Sequence, residues 1–352
     1  MILANKILVV GSNSPHVASF CRMIKPDFRD IVYLGDETLN IENDTVSNQY
    51  IVSPKVNNPF KIFHLVNQIK KVIKVEQPDV IHIHQINRLG IYSTFCIEKP
   101  TPLIVTAWGS DVLQQPKENF IKKSAVKYVL KKALACTADS QHMVDEMRKL
   151  QPAMKQCQLI YFGINPIGYI SDLKENIIYS NRLHKDFYNI DKIIKDFSSF
   201  STKHPDWKLI IAANGPETDK LKALSHRLGL ENKIEFVGWL DKSQNINFYK
   251  KARIYISIPD SDGTSVSLLE AMSAGCLPII GDIPVSHEWI ENSKNGVIYS
   301  AKRNCFEEAL NIESEKLREH NSKIIQQKAT KEISAKNFFT LYADVLNKSD
   351  VV

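Results

Sequence analysis

A single glutamate inside an oily helical stretch is the residue of this sequence that most needs a chemical reason. Glu270 stands within Val266-Ser267-Leu268-Leu269-Glu270-Ala271-Met272, and a carboxylate buried among such neighbours is costly unless hydrogen bonds reach it. The two hydroxyls of a ribose diol would supply two donors; a lysine partner or a nearby backbone group would serve as well. Just upstream lies a polar loop, Pro259-Asp260-Ser261-Asp262-Gly263-Thr264-Ser265. Gly263 relieves its backbone, and Thr264 or Ser265 can cap a helix over about 265–273. The first unpaired amides of that helix suit a diphosphate. Asp262, eight residues before the glutamate, is placed to accept hydrogen bonds from sugar hydroxyls beyond the phosphates.

The elements that position these groups read as an alternating α/β framework. Short β-rich runs recur between helical patterns, the signature of βαβ units and a parallel sheet covered on both faces. The pattern predicts strands at 6–10, 31–34, 79–84, 103–106, 134–138 and 158–162, and again at 176–180, 208–213, 233–236, 254–258, 277–281 and 296–299. Between the two sets, Phe162-Gly163-Ile164-Asn165-Pro166-Ile167-Gly168 reads as a linker. The expected domains are therefore 1–165 and 166–330. One long helical pattern over 321–346 lies beyond the last strand, and the segment from about 330 to 352 is expected to pack back onto the first domain. Ligands of such sheets sit outside the carboxyl ends of the strands, where the 259–265 loop falls.

Bulk properties narrow the class. A chain of 352 residues exceeds what one core usually spans, and 43% hydrophobic content without repeats or low-complexity runs belongs to a globular protein. Apolar runs such as 7–10 and 277–280 fall well short of the ~20 residues needed to cross a bilayer. Residues 1–10 carry one lysine and no small-residue cleavage site, which argues against a secretory leader. Cys21, Cys96, Cys136, Cys157, Cys276 and Cys305 are scattered, as free thiols in a reducing compartment would be, so a cytoplasmic address is expected. The net charge of +6 lies wholly in the first half, where 20 Lys/Arg face 14 Asp/Glu over residues 1–165, against 25 and 25 in the remainder. Within 116–132, six lysines and one acid, Glu118, surround Phe120, Ile121, Val126, Tyr128, Val129 and Leu130. Such a helix fits either a solvated face or peripheral contact with an anionic membrane. No nucleic-acid partner is expected.

The stretch from Asp262 resembles the signature of the family-4 retaining glycosyltransferases of GT-B fold, the glycosyl transferases group 1. That signature is an acid, seven residues, a glutamate, then Ala-Met and a small-residue turn. Here it reads Asp262, seven residues, Glu270-Ala271-Met272-Ser273-Ala274-Gly275, and runs on through Pro278-Ile279-Ile280 to Glu288 and Asn295-Gly296. The resemblance implies a GT-B architecture: two Rossmann-like α/β domains facing each other across a deep interdomain cleft, the second binding a nucleotide sugar. It implies that Glu270 holds the ribose, that Asp262 holds the donor sugar, and that amides of Gly263, Thr264, Ser265 and Val266 bind sugar and phosphate. The first acid is more commonly glutamate, and aspartate shortens its reach by one methylene. Arg182, ending the first strand of the second domain, matches the family's diphosphate-binding arginine. The partner lysine normally follows five residues later, where this chain has Phe187, and Lys185 is the nearest candidate. A departing nucleoside diphosphate gathers negative charge that fixed cations hold, so Arg182, Lys185 and Asp262 form the expected catalytic set. Gly215, in Ala213-Asn214-Gly215-Pro216-Glu217, resembles the glycine-rich turn after the second strand, and Val237, in Phe236-Val237-Gly238, the turn beside the base.

In the first domain, Gly11-Ser12-Asn13-Ser14-Pro15-His16 resembles the family's loop near donor phosphates and acceptor, with Gly11 on the donor side and Ser12, Asn13 and His16 on the acceptor side. It does not satisfy GxGxxG, which speaks against a nicotinamide cofactor. Trp108-Gly109-Ser110-Asp111 resembles the family's His-Gly-Ser-Asp turn, with an indole that can stack on a sugar but exchanges no proton near neutrality. His82 and His84 share one strand face and read as satisfied core histidines. No metal-ligand set is evident, so no metal and no cofactor are expected, the nucleotide sugar being a substrate. The resemblance implies retaining transfer of a hexose-type sugar from a UDP-sugar, or alternatively a GDP-sugar, to a saccharide or lipid-linked acceptor of envelope polysaccharide synthesis, without an enzymatic general base. A nucleotide-sugar epimerase of GT-B fold and a catalytically silent sugar-nucleotide-binding protein are the alternatives.

Overall fold

The computed structural model describes residues 2–98 and 101–349. They form two compact units, one running to Phe162 and resuming at Lys331, the other spanning Gly163–Thr330.

Unit 1 carries a seven-stranded parallel sheet in the order β3-β2-β1-β4-β5-β6-β7. Its strands are β1 (Ala4–Val10), β2 (Phe28–Gly35), β3 (Asn48–Ile51), β4 (Val80–His84), β5 (Leu103–Thr106), β6 (Ala135–Ala138) and β7 (Cys157–Leu159). Its helices are α1 (Pro15–Ile24), α2 (Pro59–Glu76), α3 (Arg88–Cys96), α4 (Ser110–Leu113), α5 (Gln115–Glu118), α6 (Phe120–Lys132) and α7 (Gln141–Leu150). The central strands are apolar on both faces because both are covered. Leu8 and Val10 join one core with Leu65, Ile69 and Val72 of α2, Leu89 of α3 and Val126, Val129 and Leu130 of α6. Ile7 and Val9 point the other way, into a core with Phe20 and Cys21 of α1 and Phe338, Leu341 and Tyr342 of the C-terminal helix. Asparagine and serine side chains start these helices: Ser14, Asn58, Asn87 and Asn119 each accept an amide of the first turn.

Unit 2 repeats the plan with six parallel strands in the order β10-β9-β8-β11-β12-β13. They are β8 (Glu175–Ser180), β9 (Lys208–Ala212), β10 (Ile234–Gly238), β11 (Ala252–Ser257), β12 (Leu277–Ile280) and β13 (Val297–Ile298). Helices α8 (Ile190–Lys203), α9 (Thr218–Arg227) and α12 (Cys305–Ile312) bury Ile193, Phe197, Leu221 and Phe306 against one face. On the other, Tyr249 of α10 (Lys242–Lys251) meets Tyr255 of β11, and α11 (Val266–Ser273) meets α13 (Glu315–Lys328), whose Ser322 hydroxyl donates to the carbonyl of Ser273.

Three expectations need correction. The pattern over 321–346 is two helices, α13 and α14 (Lys331–Ser349). They separate because Ala329 and Thr330 leave helical geometry to pair with Ile164, whose amide donates to the Ala329 carbonyl at 2.9 Å. The basic segment 116–132 is likewise broken at Asn119, which caps α6 through the Lys122 amide at 2.9 Å. Strand β3 was not foreseen.

Candidate functional site

In unit 2 the chain emerging from β8 and the chain emerging from β11 meet through Arg182. Its Nη1 donates to Ser265 Oγ at 2.6 Å and its Nη2 to Asp262 Oδ2 at 2.7 Å, while the guanidinium lies over the Tyr188 ring, 4.4 Å from its centroid. Only 12% of the arginine side chain and 26% of the aspartate side chain remain exposed. Burial works against the Arg182 charge, but Asp262 foremost, then Tyr255 and Tyr188, outweigh it and hold the group firmly protonated. For Asp262, burial pushes the carboxyl pKa up, against the pull of Arg182 and of the Gly263 amide, which donates to Oδ1 at 3.1 Å. These two bonds occupy only part of the five N–H donors of a guanidinium. The arrangement is a cation fixed in direction, with capacity left for an anion.

The expected cap is built differently. Ser265 stands at the N-cap of α11, yet its side chain makes no cap hydrogen bond; the hydroxyl receives Arg182 instead. Thr264 turns inward, 7% exposed, and accepts the Trp289 indole N–H at 3.3 Å. Gly263 is buried and Val266 half-buried at the start of the helix. Glu270 is half-buried rather than enclosed, because Leu268, Leu269, Ala271 and Met272 take the core-facing positions of α11. Its carboxylate contributes, after burial and Tyr255, to raising the pKa of the Tyr179 and Tyr249 phenols. Those tyrosines belong to a polar knot in which Asn181 Nδ2 donates to Tyr249 Oη at 2.7 Å and Tyr179 Oη donates to Asn245 Oδ1 at 2.7 Å.

The two glycine turns sit at the carboxyl ends of the neighbouring strands. The Ala213 amide donates to the Gly238 carbonyl at 2.7 Å, tying the turn after β9 to that after β10, where the strand register shifts and Val237 lies half-buried. Gly215 is packed so closely on the backbone of His184 that a Cβ would stand 2.4 Å from its carbonyl oxygen. Thr218 Oγ1 accepts the Gly215 amide and pairs with His184 Nδ1, fixing the turn. Lys185 is exposed at the entry to a single 3₁₀ turn, Asp186–Tyr188.

Unit 1 gathers its expected residues at the carboxyl ends of β1, β4 and β5. Gly11 lies against His84 and Val17, where a Cβ would stand 3.3 and 3.1 Å from their side chains. Ser12 Oγ accepts from Asn87 Nδ2 at 3.1 Å, and the Asn13 amide donates to Asp36 Oδ1 at 3.1 Å. His16 is exposed at the start of α1, yet crowded by Trp108 and Phe162, with ring centroids 5.6 and 6.0 Å away, and that burial lowers its pKa. Trp108 is held by Asp111, whose carboxylate, 1% exposed, accepts the amides of Ile86, Trp108 and Gly109 at 2.9–3.0 Å. Sequence reading gave Asp111 no such role and missed Tyr188 beneath Arg182. The reading of both strand histidines as satisfied holds for His82, which bonds Tyr342 Oη at 2.6 Å and Thr106 Oγ1 at 2.7 Å. It fails for His84, whose two buried ring nitrogens have no partner among the described residues because Phe20, Trp108 and Phe162 surround it.

Comparison with known proteins assigns the class. The family described as Glycosyl transferases group 1 matches residues 169–331, and the one described as Glycosyl transferase 4-like matches residues 6–140. This chain belongs to the family-4-like glycosyltransferases of GT-B fold. A GDP-mannose:cellobiosyl-diphosphopolyprenol alpha-mannosyltransferase of Xanthomonas campestris is 25% identical over 251 residues, covering 65% of this chain and 62% of its own. An alpha-monoglucosyldiacylglycerol synthase of Streptococcus pneumoniae is 27% identical over 153 residues, 43% of this chain and 34% of its own. The chain thus spans less than two thirds of the length of these relatives. Alr3699/HepE of Anabaena, solved in complex with UDP, shares the fold with a TM-score of 0.79 at 15% identity, over 97% of this chain and all of its own.

Proposed function

We propose that the chain is a retaining glycosyltransferase that moves a hexose-type sugar from a nucleotide sugar to a lipid-linked or saccharide acceptor in envelope polysaccharide synthesis. A UDP-sugar is the favoured donor and a GDP-sugar the second candidate, in line with the UDP named for the Anabaena protein and the GDP-mannose named for the Xanthomonas relative. The observation that carries the reading is the Arg182 guanidinium, pinned by Asp262 and Ser265 at the strand ends from which the Glu270 helix departs.

In this reading Glu270 grips the ribose hydroxyls and the amides of Gly263 to Val266 receive phosphate and sugar oxygens. The turns at Gly215 and Val237 shape the nucleotide's bed, and Gly11 is a further donor-binding residue. As the bond from the anomeric carbon to the diphosphate breaks, negative charge grows on the leaving oxygen, and Arg182, with Lys185 in support, stabilises it. Asp262 orients both the arginine and the sugar hydroxyls. The acceptor hydroxyl attacks the same face, shedding its proton towards the leaving phosphate, so no side chain serves as general base. Ser12, Asn13, His16 and the Trp108 ring present the acceptor. The reaction needs no metal and no cofactor, and the protein works in the cytoplasm, touching the anionic inner face of the membrane through 116–132.

A thermal-shift screen of nucleotide sugars tests the reading, since a ligand of the folded state raises the melting temperature according to its affinity. A donor that shifts wild type should shift Glu270→Ala far less; an equal shift and normal turnover in that variant would refute the assignment.

A further inference from the structure

The unit 2 sheet has a second polar edge. Lys174 directly precedes β8 and Arg253 is the second residue of β11, so both lie at the amino ends of the strands, away from Arg182 at the carboxyl end of β8. There a cavity of about 270 Å³ is lined by Tyr169, Ser171, Lys174, Arg253, Glu313 and Arg318, together with Ser314 and Glu315. A water needs roughly 10–15 Å³ of such space, so a polyatomic ion fits. Three cations line the cavity against one buried acid. Glu313, its side chain 5% exposed, receives both Arg253 and Arg318, the latter 8% exposed. Arg253 also donates to Asn176 Oδ1, and Asn176 passes a bond on to Asp206. Lys174 finds no carboxylate within ion-pair distance among the described residues; its Nζ donates to the carbonyls of Tyr249 at 2.9 Å and Ala252 at 2.7 Å, and to Cys276 Sγ at 3.6 Å. Burial foremost lowers the Lys174 pKa; the Cys276 sulfur opposes this and the Arg318 charge adds to it. Even with the exposed Glu315 counted, the cations exceed the acids. Arg318 meets Glu313 through Nη2 and bonds the Tyr169 phenol, which leaves part of its five N–H donors unused. Helix α13 starts here as well, capped by Ser314, and brings the positive end of its dipole.

We propose that this cavity is a binding site for a phosphate oxyanion, free or as the phosphoryl group of a small ester, held by Arg318 and Arg253 and favoured by the Lys174 charge. Enclosed cations served by a single carboxylate are costly, and an oxyanion with several acceptor lone pairs both offsets the charge and takes up the idle donors. Bound there, it joins the start of α13 to the amino ends of β8 and β11. It also braces Tyr169, whose ring packs on Gly275 just beyond α11, where a Cβ would stand 2.3 Å from it. The site lies at the other edge of the sheet from the Arg182 and Asp262 pair and does not depend on the transferase reading.

Isothermal titration of the full chain with inorganic phosphate, at constant ionic strength in chloride, tests it. Wild type is expected to show saturable binding that survives Arg182→Gln. Arg318→Gln should weaken it at least about tenfold; Arg253→Gln, at the more exposed cation, should do the same and serves if the buried variant does not fold. Glu313→Gln should act in the opposite sense, tightening phosphate binding about tenfold as two guanidiniums are released. Phosphate should then raise the melting temperature of that variant by more than it raises wild type. Glycerol phosphate titrated in parallel separates the sources: tighter binding than phosphate assigns the site to an ester, equal or weaker binding to the free ion. Wild type that binds neither refutes the site. So does binding that Arg182→Gln abolishes while the Arg318 and Glu313 variants behave as wild type, because the anion then sits at the carboxyl edge. Weaker binding in Glu313→Gln also refutes it, leaving a purely structural ion cluster. The nucleotide-sugar shift should be unchanged in Arg253→Gln, so the transferase reading is judged separately.

Discussion

His82 and His84 sit side by side on β4, 0% and 1% exposed, with ring centroids 4.4 Å apart. Burial, and then the neighbouring His84, holds the His82 pKa well below its ordinary value; burial, and then His16, pushes His84 down to about 3. Lowering the pH from 7 to 5 therefore leaves His84 neutral in the fold, while the unfolded chain protonates both rings from 6.5 downward. The unfolded state binds more protons throughout that window, so stability falls as pH falls, and it is fully present only above 6.5. The His84 ring should withdraw about 1.9 kcal/mol between pH 7 and pH 5, and His82 acts in the same direction. His84→Leu removes one of the two. Its unit 1 transition in urea should lose about 1.9 kcal/mol less than wild type over the same pH step. Its stability at pH 7 should equal or exceed wild type, because two unpartnered nitrogens leave the core. His82→Leu should instead cost stability at pH 7, since it breaks the bonds to Tyr342 and Thr106. A full pH penalty surviving in His84→Leu would refute the claim that this ring stays neutral.

Two further substitutions probe unit 2. Asp262→Asn leaves the Arg182 charge largely buried without its counter-ion and should lower unit 2 stability by roughly 2–3 kcal/mol in urea unfolding, below the full buried-pair cost because the aspartate is a quarter exposed. The released guanidinium should still accept a diphosphate, so the thermal shift with UDP or GDP should be kept or increased while sugar transfer is lost; loss of both would contradict the division of roles. Gly215→Ala forces a methyl to within 2.4 Å of the His184 carbonyl oxygen, a backbone atom that cannot swing aside. A fall of about 1–3 kcal/mol in the urea stability of unit 2 is expected, with a smaller nucleotide-sugar shift; an unchanged midpoint would show that the turn is not clamped.

How much of this was legible depends on how local the signal was. Strands buried on both faces, such as Ile7-Leu8-Val9-Val10 and Leu277-Pro278-Ile279-Ile280, announce themselves as continuous apolar runs. Strand β3 does not: Asn48-Gln49-Tyr50-Ile51 is an edge strand, half-buried or exposed throughout, and carries no apolar run. The break between α13 and α14 was invisible because Ala329 and Thr330 are unexceptional in a helix; what ends it is pairing with Ile164, far away in sequence. At the site, the Asp262 to Glu270 spacing is confined to one loop and helix, so residue types alone brought it out. The full burial inferred for Glu270 was an over-reading of its oily neighbours, which turn towards the core and leave the carboxylate at the helix flank.

The least legible part is how Arg182, Asp262 and Ser265 are joined. Sequence assigned Arg182 to phosphate, Asp262 to sugar and Ser265 to a helix cap, three separate duties. Some 80 residues of chain separate the arginine from the other two, and the structure joins all three in one hydrogen-bonded unit. The joining follows from electrostatics rather than pattern. A guanidinium carried into this partly enclosed edge by β8 needs an anion there, and Asp262 at the end of β11 supplies it. Ser265, its hydroxyl drawn to the same guanidinium, gives up the cap it would otherwise make, so α11 begins without a side chain of its own across its first amides. The expense of burying one cation thereby shapes a helix start towards which an external anion is attracted. The groups singled out separately in the sequence form one hydrogen-bonded unit.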